Sequence, residues 1–79
     1  MAKDRQVFHS ILTSEGWTVM LERKRLAVFK TQRDCEADAI ARARKVHEGG
    51  SNSQVVFHKE DGVIREERTY GEDPERTAG

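Results

Sequence analysis

The sequence predicts an α+β fold of order β-β-β-α-β-β, a mainly antiparallel sheet with one helix packed on one face. Three observations carry that expectation. Residues 17–22 alternate between two faces after a turn at Gly16, residues 35–46 hold an apolar stripe at helical spacing, and Asp61-Gly62 separates two further β-rich runs.

The first strand is expected over Gln6 to Leu12, which is rich in β-formers (Val7, Phe8, Ile11, Leu12). Thr13-Ser14-Glu15-Gly16 follows as a turn, because Gly16 tolerates a positive φ. The second strand, Trp17 to Glu22, puts Trp17, Val19 and Leu21 on one face and Thr18, Met20 and Glu22 on the other. Arg23-Lys24-Arg25 reads as a charged bend, and Leu26 to Lys30 as a third strand.

Thr31 and Asp34, three apart, form a helix-capping pair in which the Thr hydroxyl accepts from an otherwise unpaired helical N–H. Cys35, Ala39, Ile40, Ala43 and Val46 then fall on one stripe, with Asp38, Arg42 and Lys45 opposite. Acidic residues gather near the start (Asp34, Glu36, Asp38) and basic ones near the end (Arg42, Arg44, Lys45, His47), matching the helix dipole. Gly49-Gly50 ends the helix, with Gly49 as the expected left-handed residue. A fourth strand, Gln54 to Lys59, and a fifth, Val63 to Tyr70, are joined at Asp61-Gly62, with Ile64 and Tyr70 expected on the same side.

The expected core is Trp17, Val19, Leu21, Phe29, Ala39, Ile40, Ala43, Val46, Val55, Phe57 and Ile64. Apolar residues also fall outside the Trp17 set, at Phe8, Met20 and Phe29, which leaves two readings open: a second sheet face that is partly apolar and needs a partner, or one covered internally by sheet twist, the chain ends and the Tyr70 segment. Local pattern does not fix the strand order.

At 79 residues the chain holds one core, expected over residues 1–71, followed by a flexible acidic tail, 72–79. Net charge is zero, which argues against coating nucleic acid by bulk electrostatics. The charges are nevertheless segregated. Residues 1–59 carry eleven Lys and Arg against seven Asp and Glu, and residues 60–79 carry three against seven. A single Cys35, no apolar N-terminal run and no apolar span of about 20 residues lead us to expect a cytoplasmic protein.

Gly16-Trp17-Thr18-Val19, Phe29-Lys30-Thr31-Gln32, Ala39-Ile40 with Ala43-Arg44, and above all His58 to Pro74, of the form H-x-x-D-G-x-I-R-E-x-x-T-Y-G-x-D-P, show a resemblance. Together they resemble a family of small bacterial proteins catalogued only as a domain of unknown function. Arg33 to Glu36 adds about one helical turn relative to that family's spacing. The resemblance implies no activity, cofactor or catalytic residue.

His9, His47, His58 and Cys35 are metal-ligating types, but none has the paired spacing of zinc sites, so neither metal nor cofactor is expected. Cys35 lies in the helix stripe and reads as a small buried hydrophobe. Glu66 and Glu67 alternate across a strand and cannot act as an acid/base pair. Gly49-Gly50 follows a helix, whereas phosphate-binding glycines precede one. The residues best suited to touch a polyanion or a partner are Arg23, Lys24 and Arg25 with Lys30 nearby.

The expectation is therefore a non-enzymatic chain with neither a membrane nor a small-molecule substrate as its target. A protein partner or self-association ranks first. A nucleic-acid accessory role through the Arg23 to Arg25 bend ranks second.

Overall fold

The structure, a computed structural model, describes residues 5–71, so the expected tail at 72–79 lies outside the described residues. Six elements follow in the expected order: β1 (Arg5–Thr13), β2 (Gly16–Leu21), β3 (Lys24–Phe29), α1 (Gln32–Glu48), β4 (Asn52–His58) and β5 (Ile64–Tyr70).

Two tight hairpins build the first half. Thr13 pairs with Gly16, so only Ser14 and Glu15 form the loop, one residue shorter at each end than the expected turn. Gly16 has φ +130, and a Cβ there would lie 3.0 Å from the Phe29 carbonyl oxygen. The second hairpin corrects the expected basic bend. Leu21 pairs with Lys24, which leaves Glu22 and Arg23 as the loop, Glu22 supplying the positive φ of 59 that such short loops require. Lys24 and Arg25 are thus strand residues.

Strand order is β3-β2-β1-β4-β5. Three strand pairs are antiparallel, and the central pair, β1 with β4, is parallel. A parallel pair needs a long crossover, supplied here by β2, β3 and α1 together.

Thr31 caps α1 as expected. Its hydroxyl accepts from the Asp34 N–H at 3.1 Å, and losing it costs about 1 kcal/mol. At the other end Gly49 has φ −82, and it is Gly50, at φ +102, that takes the left-handed turn. The Ser51 N–H bonds the Val46 carbonyl and the Gly50 N–H bonds the His47 carbonyl, the paired bonds of a Schellman ending one residue later than expected.

The stripe Cys35, Ala39 and Ala43 is fully buried against Phe8, Trp17, Val19, Val55 and Phe57, with Ile40 and Val46 partly buried beside them. Small helix residues let the backbone of α1 approach the sheet closely. Two buried serines then bond upward into the helix, Ser10 Oγ to Cys35 Sγ at 3.2 Å and Ser53 Oγ to the Ala43 carbonyl at 2.6 Å.

Two β-bulges decide which side chains face α1. In β3 the register steps from Val19–Ala27 to Met20–Arg25, so Leu26 is the extra residue and joins the core. In β5 it steps from Phe57–Glu66 to His58–Ile64, making Arg65 the extra residue. Arg65 then reaches the helix side, where it pairs with Glu36 and lies 5.5 Å from the Phe57 ring centroid. Ile64 moves to the side of His58 and away from Tyr70, and at 51% exposure it is no core residue. Phe8 and Phe29, set apart from the Trp17 face in the sequence reading, pack on the helix side.

Candidate functional site

On the sheet face turned away from α1, one cross-strand row runs the full width of the molecule. Arg25 lies opposite Met20, Met20 opposite His9, His9 opposite Val56, and Val56 opposite Glu67. The next row begins Val28, Thr18, Ile11 and ends His58, Ile64. Its flanking residues, Val28 and Ile64, are 41% and 51% exposed. Val7 extends the apolar surface along β1.

The centre of this face is a histidine pair. His9 Nδ1 and His58 Nε2 are 3.0 Å apart, and His58 Nδ1 lies 3.0 Å from the Gly62 carbonyl oxygen. A carbonyl only accepts, so the His58 Nδ1 carries a proton and donates it. In the neutral pair its Nε2 must then accept from the His9 Nδ1–H, leaving the His9 Nε2 as the one free acceptor. The ring centroids are 5.3 Å apart, close to the N···N distance plus the two ring radii. The nitrogen axes are therefore nearly collinear, as a hydrogen bond requires. Two ligands on one metal ion would instead have converging axes. Among the described residues, no group of three or more His, Cys, Asp or Glu side chains converges as a metal site.

Burial holds the His9 pKa below its ordinary value of 6.5, the neighbouring His58 lowers it further, and Glu67 opposes both. Glu67 in turn accepts from the Gln54 side chain at 3.0 Å.

The four basic residues singled out in the sequence do not form one patch. Arg23 sits in the β2–β3 loop, and Lys24, opposite Leu21, lines a shallow open hollow with Arg5, Gln6, Glu22 and Arg23. Arg25 lies on the open face and forms an ion pair with Glu15 of the β1–β2 loop. Lys30 follows the far end of β3, about 20 Å along the strand from Lys24. Cys35 is fully buried, and burial raises its thiol pKa, so the nucleophilic thiolate is disfavoured. Glu66 and Glu67 lie on opposite faces, opposite Phe57 and Val56 respectively.

Sequence reasoning put His9 and His58 within the first and fourth strands but did not bring them together. They are 49 residues apart, and only the parallel register of β1 on β4 makes them neighbours. No helix of the described residues is long and apolar enough to cross a membrane.

Residues 8–70 match the model of a family described as an uncharacterized protein conserved in bacteria, DUF2188. No curated protein and no solved structure matches the chain.

Proposed function

We propose that this chain, which belongs to the bacterial DUF2188 family, is a non-catalytic interaction module that pairs with a second copy of itself through the open face of its sheet. The observation that supports this reading is the chemical symmetry of the row Arg25, Met20, His9, Val56, Glu67. The central strand β1 has two strands on either side. A two-fold axis along β1 lays β3 of one copy over β5 of the other, so the row meets itself reversed. Arg25 then faces Glu67 twice, Met20 faces Val56 twice, and His9 faces His9. In the second row the exposed Val28 meets the exposed Ile64. An axis across the strands would instead set like charges against each other, so charge selects one isologous arrangement.

The size of the face sets the strength of the association. Five strands spaced about 4.8 Å apart and about five residues long give roughly 400 Å² per copy. The total, roughly 800 Å², falls below the size of stable specific interfaces and corresponds to a weak, transient dimer.

Sedimentation equilibrium at pH 7.5 over a concentration series tests the reading. A monomer–dimer equilibrium is expected for the native sequence, with Met20→Glu shifting it at least tenfold towards monomer while far-ultraviolet circular dichroism stays unchanged. A monomer at every concentration up to the millimolar range contradicts it.

A nucleic-acid role retains the Arg5, Arg23 and Lys24 cluster around Glu22, with Arg42 and Lys45 of α1 lining a neighbouring hollow that shares Gln6 and Leu21, while Lys30 lies apart. No observation favours it over self-association.

A further inference from the structure

We infer that the His9–His58 pair makes this association proton-controlled: the copies join while the pairs are neutral, and protonation separates them. The inference rests on the self-association reading and adds its regulation.

The hydrogen bonds limit what the pair can hold. His58 Nδ1 is committed as a donor to the Gly62 carbonyl, and His58 Nε2 as an acceptor from the His9 Nδ1–H. A first proton goes to the only free nitrogen, the His9 Nε2, and the chain His9 to His58 to Gly62 survives with a charge on it. A second proton would put two N–H groups against each other and break it. The hydrogen-bond chain therefore has room for one added proton.

Position turns that proton into a control on assembly. β1 lies on the proposed axis, so the two His9 rings meet at the centre of the interface. One proton on each copy places two like charges face to face in a region the association would desolvate. In the free chain His9 is already partly buried, and burial already disfavours its charged form. Covering the face with a second copy strengthens both effects.

The surrounding charges do not cancel this. From β5 only Glu67 faces His9, and it opposes the lowering without overcoming it. In the paired state it is drawn to Arg25 of the other copy. From β3 comes Arg25, held in the free chain by Glu15 of the β1–β2 loop. From β2 the neighbours are Met20 and Thr18, both uncharged, and from β4 Gln54 and Val56. Arg5 stands at the start of β1, and Lys59, Glu60 and Asp61 lie in the loop beyond His58. α1 is on the other side of the sheet.

Linkage sets the size of the effect. Association that excludes one proton per copy weakens by up to about a hundredfold per pH unit below the His9 pKa, tenfold for each proton. Because the His9 pKa lies below 6.5, the loss falls below that pH.

Sedimentation equilibrium of the native chain at pH 7.5 and pH 5.0 tests the inference, with His9→Phe/His58→Asn measured alongside. Asn at 58 keeps a donor for the Gly62 carbonyl, and neither new residue titrates. Circular dichroism at both pH values checks that each sample is folded. The expected result is a dissociation constant at least tenfold higher at pH 5.0 for the native chain and unchanged for the double variant. Equal association of the native chain at both pH values overturns proton control and leaves self-association standing. The same pH dependence in the double variant overturns the assignment to this pair. Absence of association at pH 7.5 overturns the self-association reading, and proton control with it.

Discussion

The two faces of the sheet are built on different chemistry. Facing α1, large side chains (Phe8, Trp17, Val19, Val55, Phe57) meet a helix stripe of Cys35, Ala39 and Ala43, and the buried polar groups Ser10 and Ser53 find partners on the helix itself. That face is complete within one chain. Facing away, apolar residues alternate with a histidine pair and are flanked by one positive and one negative charge. Shape complementarity organises the first face, and a charge-reversed pattern organises the second.

The largest effect should come from the closed face. Phe57 is almost fully buried and sits beneath the Arg65 and Arg68 guanidinium groups, 5.5 and 5.6 Å from its ring centroid. Phe57→Ala should lower stability by about 3–5 kcal/mol, read from urea unfolding, a large share of what a domain this small possesses. A loss under about 1 kcal/mol would mean that the two faces do not differ as described.

A smaller effect separates the faces by pH. His9 has a lowered pKa in the folded chain, so the unfolded chain binds its proton more readily. Stability from this site is therefore full above pH 6.5 and falls away as pH drops through the lowered value. Urea midpoints at concentrations where the chain is monomeric should decline between pH 7 and pH 5, and His9→Phe/His58→Asn should decline less. An identical decline in both places the acid sensitivity elsewhere.

The smallest effect belongs to the rim of the open face. Ile64→Ser removes an exposed side chain, so stability should change by no more than about 0.5 kcal/mol. Association should weaken all the same. A substantial loss of stability would return Ile64 to the core.

Much of the closed face was legible in the sequence, because its signals are local. The Thr31 and Asp34 pair, the stripe from Cys35 to Val46 and Gly16 each state their conformation within a few residues. The open face was not, because its pattern exists only after strands distant in the chain have paired. His9 and His58 meet through a parallel register that leaves no local trace. Ile64 was misplaced because strict alternation was assumed through Arg65, where a bulge resets it. Phe8 was set apart from the Trp17 face for a related reason: the face a central strand gives to the helix depends on its neighbours, and the strand order was not readable. The four basic residues looked like one feature because they are close in sequence. A two-residue loop and a strand about 20 Å long separate them.

Charge exchange across the open face tests the central claim most directly. Arg25→Glu, Glu67→Arg and the double exchange should be compared with the native chain by sedimentation equilibrium at pH 7.5 and low salt. Each single change should weaken association at least tenfold by setting like charges opposite each other, and the double exchange should restore it to within about threefold of the native value. Single changes without effect, or a double exchange as weak as the worse single one, would contradict the account.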